Sequence, residues 1–178
     1  VVVGLRALFG GDNETALDRF QDVIKKSTTE NGMDDLLHIW HYYAGRAAND
    51  AAGHTIDDAD LRTRLRLRAS EHFSSAHDAA PDSAGYSIVY LNQGNVHYST
   101  ATDSWGEWNV VDAELEQAQS LYNKAKSNGP LSFDWHFVSG KANASLANVE
   151  ILRARQCSVT SLCDEPNTHY CDALDFLG

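Results

Sequence analysis

Apolar residues recur at helical spacing along almost the whole chain, broken by short polar or glycine-rich stretches. Val1, Leu5, Leu8 and Phe9 predict a helix end over residues 1–10, and Gly10-Gly11-Asp12 reads as the turn after it. Ala16, Leu17, Phe20, Val23 and Ile24 share one face of a helix from Glu14 to about Ser27, capped by Asp12 or Asn13. A polar loop over Thr28–Gly32 leads to an aromatic-rich helix from Leu36 to about Ala52, with Asp34 or Asp35 as its cap. Beyond a turn at Gly53–Asp58, a helix from about Ala59 to Ala79 ends at Pro81-Asp82-Ser83. A further hairpin spans Tyr86–Pro130, with Asp103–Trp108 at its tip. The last long helix is expected from about Phe133 to Arg155. An irregular cysteine segment over 157–168 follows, and His169–Leu177 opens one more amphipathic helix.

Laid over one another, these hairpins repeat. A glycine sits mid-way in each first helix (Gly4, Gly45, Gly94, Gly140), at intervals of 41, 49 and 46 residues. An alanine sits early in each second helix: Ala16, Ala69, Ala118 and Ala173. Phe20, Phe73 and Tyr122 follow the first three alanines by four residues, and Val23, Ala76 and Ala125 follow them by seven. Pro81 and Pro130 close two of the units. The units run over about 1–30, 34–82, 85–130 and 132–178, with a cysteine-containing insertion at 157–171, and they form a single domain. One hairpin alone leaves an apolar face exposed, and stacking hairpins buries it in a shared core.

The pattern resembles the tetratricopeptide repeat, a helix-turn-helix unit with a Trp-Leu-Gly-Tyr type first helix and an Ala-Phe-Pro type second helix. The nearest single match is Tyr90-Leu-Asn-Gln-Gly94-Asn-Val-His-Tyr98 with Ala118, Tyr122, Ala125 and Pro130. The glycine-to-alanine spacing is 12 residues in the first unit, 24 in the second and third and 33 in the fourth, so the hairpins are elongated. Val3, Ala44, Gln93 and Ser139 stand where the family has leucine before the glycine. The resemblance implies an all-α solenoid of three to four stacked antiparallel helix hairpins, with first helices lining a concave face. In the family's register Tyr42, Arg46, Leu91, Asn95, Tyr98, Phe137 and Lys141 face that groove. Aromatic residues beside Arg, Lys and Asn suit a peptide-binding surface.

The net charge of −11 opposes a nucleic-acid partner, because the phosphate backbone would be repelled. No apolar run is long enough to span a bilayer. All three cysteines, Cys157, Cys163 and Cys171, lie near the C-terminal end. Their clustering points to a local disulfide, Cys157–Cys163 or Cys163–Cys171, and hence to an extracytoplasmic or secreted protein; three free thiols in a cytosolic protein is the competing reading. Asn13-Glu-Thr15 and Asn143-Ala-Ser145 match the glycosylation acceptor pattern, with Asn13 in the more accessible setting.

Phosphate-loop, nucleophile-elbow and zinc-protease motifs are absent, so no catalytic residue, cofactor or metal is expected. His38 and His41 can point two imidazoles one way, but no third ligand stands at metal-site spacing. The run Arg62, Arg64, Arg66 and Arg68 reads as a solvated helix face or as a patch for an acidic partner. Trp105 and Trp108, at a hairpin tip, are candidate contacts. Val1, Val3, Leu5 and Leu8 at one end, and Leu174 and Leu177 at the other, would be exposed in an uncapped solenoid.

The expectation is a non-enzymatic scaffold that binds a protein or peptide. One alternative is a structural subunit assembling end to end into an extracellular filament, since head-to-tail contacts make open fibres. A second is a regulatory repeat segment of a larger multidomain protein.

Overall fold

Seven α-helices make up nearly all of the described residues, among which no strand occurs. This computed structural model describes residues 1–28, 34–79, 87–127, 133–160, 169, 172–173 and 175–176, with the backbone alone for 34 and 133–137. The helices are α1 (Val2–Gly10), α2 (Asn13–Ser27), α3 (Leu37–His54), α4 (Ala59–Asp78), α5 (Ser87–Asp103), α6 (Trp108–Ser127) and α7 (Phe133–Thr160). They fall into two compact units, 1–83 and 84–178.

In the first unit each helix packs against its neighbours in sequence, α1 on α2, α2 on α3 and α3 on α4. The α1–α2 turn needs only two residues because Gly11 takes a left-handed conformation, φ +83°. Its N–H reaches the Leu8 carbonyl, and that of Asp12 reaches the Ala7 carbonyl, capping orphan carbonyls of α1. Asp12 then caps α2 by accepting from the Thr15 N–H, and Asp58 caps α4 by accepting from the Leu61 N–H. Helix α3 lies between α2 and α4, so it is apolar on two sides. Ala44, Ala47, Ala48, Ala51 and Ala52 are all buried there, and small side chains let both neighbours approach. An aromatic chain crosses the unit: Phe20 stacks on Tyr43 at 5.5 Å, Tyr43 meets Tyr42 edge-on at 5.3 Å, and Tyr42 reaches Phe73 at 6.2 Å.

In the second unit α5, α6 and α7 each touch the other two. Leu91, Val111, Leu115, Ala118, Tyr122, Val138, Leu146 and Val149 make its core, with Phe176 from the C-terminal stretch packed against it.

The recurrent residues meet as pairs across each hairpin. A Cβ on Gly4 would lie 3.3 Å from the Phe20 ring, one on Gly45 2.9 Å from Phe73, and one on Gly94 2.6 Å from Tyr122. The fourth glycine differs: Gly140 is exposed and a Cβ there would meet nothing within 4 Å.

Several local expectations change. Helix α3 begins after a 3-10 turn at Asp34–Leu36, and its N-cap is Leu36 with no side-chain cap bond. The expected turn at Gly53 is still helix, which runs on to His54. Helix α7 continues through Thr160, because Ala154, Gln156 and Cys157 still bury against the unit, so Cys157 is helical rather than irregular. Asn13 is the first residue of α2 and only 7 % exposed, so its amide is not open to a glycan. Residues 29–33, Pro81, Pro130, Cys163, Cys171, Leu174, Leu177 and the Phe137 side chain lie outside the described residues.

Candidate functional site

Polar side chains link the helices of the second unit, and most of them converge between α6 and α7. Trp108, Asp112 and Glu116 recur every fourth residue along α6 and therefore share a face. Arg153, Gln156 and Thr160 present the opposing face of α7. Together with Asn109, Cys157 and His169 these residues line a cavity of about 460 Å³. The Gln156 amide donates to Asp112 Oδ1 at 2.9 Å, joining the two helices.

Beside this cavity lies Glu150, a carboxylate only 3 % exposed. Its Oε1 accepts from Arg153 Nη1 at 2.7 Å and from Gln119 Nε2 at 3.1 Å. Arg153 also donates to Gln119 Oε1 at 3.0 Å, closing a three-residue network. Its Oε2 faces His169 Nδ1 at 2.7 Å. A buried carboxylate needs such company, because removing it from water costs several kcal/mol unless hydrogen bonds and opposite charge replace the solvent. His169 and Asp172 are three apart in sequence, and their ligand atoms and that of Glu150 all lie within 4.8 Å of one another. No spacing motif marks this trio, since Glu150 is nineteen residues from His169; only tertiary contact assembles it.

The Cys157 sulfur is disulfide-bonded, and its partner lies outside the described residues.

The expected groove residues divide between the units. In the first, Tyr42 is half-buried in the aromatic chain, and Arg46 lies near Asp50. Burial raises the Asp50 carboxyl above its ordinary range, opposed by Arg46, His54 and Arg66. In the second, Leu91 is a core residue, 6 % exposed, because its position on α5 turns toward α6 and α7 rather than outward. Asn95 Oδ1 accepts from the Tyr122 hydroxyl at 2.9 Å, Tyr98 packs on the core edge, and Lys141 is exposed.

Of the other candidates, His41 pairs with His72, the two Nδ1 atoms lying 3.1 Å apart across α3 and α4. Burial lowers both rings, and the His41 and Arg68 charges help hold His72 down at about 4. His97 meets Glu114 at 2.7 Å across α5 and α6. The arginine run splits by direction. Arg62 donates to the Thr55 and Ile56 carbonyls at the end of α3, and Arg66 donates to Asn49, whereas Arg64 and Arg68 are exposed. Trp105 and Trp108 stack edge to face at 5.0 Å at the hairpin tip. Leu8 is buried against α2, whereas Val1 and Val3 are exposed and Leu5 half-buried. No helix is long and apolar enough to cross a membrane among the described residues.

No family model, curated protein or solved structure matches this chain.

Proposed function

We propose that the chain is a non-enzymatic interaction scaffold, built from tetratricopeptide-like hairpins, whose first helices receive a protein or peptide. The observation that carries this reading is the repeated hairpin contact, Gly4 on Phe20, Gly45 on Phe73 and Gly94 on Tyr122. Such a unit fixes two helices rigidly and leaves the rest of each first helix free to vary. On those first helices, Tyr42 and Arg46 are half-buried in the first unit, as are Asn95 and Tyr98 in the second, and Lys141 is exposed. Half-buried aromatics beside a cation and an amide offer apolar area and orienting hydrogen bonds together. The disulfide at Cys157 supports an extracytoplasmic setting, where such bonds persist.

The test is selection of peptides from a displayed library on the purified chain, followed by fluorescence anisotropy of the best binders. Binding that falls by about tenfold or more in Arg46→Ala or Tyr98→Ala, and is unchanged in Arg64→Ala, supports the reading. Peptide affinity indifferent to both first-helix variants overturns it.

A second reading, a subunit assembling end to end into an extracellular filament, is favoured by α1. Val2 is 62 %, Val3 58 % and Phe9 72 % exposed, an apolar face that another hairpin would cover. Light scattering over a range of concentrations separates the two: growing assemblies that Phe9→Glu abolishes support the filament.

A further inference from the structure

The cluster around Glu150 of α7 combines an imidazole nitrogen with two carboxylates, and the scaffold reading makes no use of it. We propose that Glu150, His169 and Asp172 bind one divalent transition-metal ion of the zinc class, which clamps His169 and Asp172 onto α7.

Four observations carry this. The first is the donor set. One imidazole with two carboxylates suits zinc or cobalt, whereas calcium and magnesium take oxygen ligands. The second is spacing. Zinc holds nitrogen and oxygen ligands at about 2.0–2.2 Å, which sets neighbouring ligand atoms roughly 3.3 Å apart in a tetrahedron. Here Glu150 Oε2 and His169 Nδ1 are 2.7 Å apart, and all three ligand atoms lie within 4.8 Å. Opening the first pair slightly and turning the exposed Asp172 side chain inward reaches that geometry.

The third is preorganisation. Glu150 is almost fully buried, yet Arg153 and Gln119 occupy only Oε1 and leave Oε2 directed at His169. Hydrogen bonds to the outer oxygen of a carboxylate are how a protein orients a metal ligand. The fourth is charge and room. Two carboxylates outweigh the single Arg153 cation, and Asp112 and Glu116 add negative charge around the cavity that His169 also lines. A dication is electrostatically suited to this place, and water from the cavity can fill its remaining coordination position. On binding, the ion takes the Nδ1 lone pair of the neutral His169 ring, whose single proton then sits on Nε2.

The experiment uses the full chain in non-reducing buffer, stripped with chelator, with any free thiol alkylated so that thiolate uptake cannot contribute. Zinc is titrated by calorimetry and cobalt by its visible d–d absorption. The expected result is one equivalent bound and a melting temperature that rises with zinc. Cobalt should give the intense bands of a tetrahedral site, and calcium should not compete. His169→Ala and Asp172→Asn should each weaken uptake by about tenfold or more with helicity unchanged in circular dichroism, since both lie outside the hairpin contacts. Absence of uptake by the parent chain, or uptake by His169→Ala or Asp172→Asn as tight as the parent's, overturns the assignment.

Discussion

Gly94 and Tyr122 define the third hairpin. The ring of Tyr122 lies so close to the α5 backbone that a Cβ on Gly94 would sit 2.6 Å from Cε1, and its hydroxyl donates to Asn95 Oδ1 at 2.9 Å. One residue is absent in bulk so that the other can be buried, and the next residue on the same helix satisfies the buried hydroxyl. Burial also pushes the Tyr122 phenol well above its ordinary range, which favours the protonated form that donates this bond.

Gly94→Ala therefore forces the Tyr122 ring from its place. The expected cost is about 2–3 kcal/mol, typical of overpacking a dense core. Gly140→Ala, where nothing lies within 4 Å, is expected to stabilise by about 0.5–1 kcal/mol through helix propensity alone. Denaturant unfolding of the two variants should give opposite signs.

Tyr122→Phe keeps the ring and removes the hydroxyl. With the aromatic packing intact, the loss should be only about 1 kcal/mol, the net worth of the bond to Asn95. Tyr122→Ala adds an emptied cavity and should cost about 3–5 kcal/mol. Thermal melts of the pair separate packing from hydrogen bonding.

The His41–His72 contact makes the first unit acid-sensitive. Both rings are held below their ordinary values, His72 at about 4, mainly by burial. Between pH 6.5 and about 4 the unfolded chain binds protons that the folded chain refuses. Stability is thus fully present above pH 6.5 and declines as the pH falls toward 4. Solvent still reaches these rings, so the decline should be about 1–2 kcal/mol. Melting temperature measured across this range should fall less in His72→Asn than in the parent.

Breaking the Glu150–Arg153–Gln119 network should be costly, because Glu150→Ala leaves the Arg153 guanidinium without its nearest carboxylate. About 3 kcal/mol is expected. Adding Arg153→Met should restore part of it, and a double-mutant cycle in urea measures the coupling.

Asp58→Ala removes the acceptor of the Leu61 N–H at the start of α4. The expected loss is about 1 kcal/mol, and Asp58→Ser, which keeps an oxygen there, should recover most of it.

The helices, the Asp12 and Asp58 helix starts and the recurrence of the glycines and aromatics were legible in the sequence. They rest on short-range rules: an apolar face every three to four residues and an aspartate or glycine at a helix end. That Gly4, Gly45 and Gly94 meet Phe20, Phe73 and Tyr122 is a tertiary fact. Gly140 recurs at a similar interval, yet a Cβ there would meet nothing within 4 Å. The cap of α3 was misread because Asp34 and Asp35 lie in a 3-10 turn ahead of the helix. The burial of Leu91 and of Asn13 depends on the face a neighbouring helix covers, which periodicity alone leaves undetermined within one residue.

By itself, then, the sequence determined an all-helical chain, since backbone hydrogen bonding and amphipathic spacing are local properties. Only the tertiary structure decided which polar groups meet. His41 finds His72 thirty-one residues away, and Glu150 draws in Gln119, Arg153 and His169. These partners are chosen by the burial of charge and hydrogen-bonding groups between packed helices, where each must find a complement or forfeit its solvation, and no spacing along the chain encodes that choice.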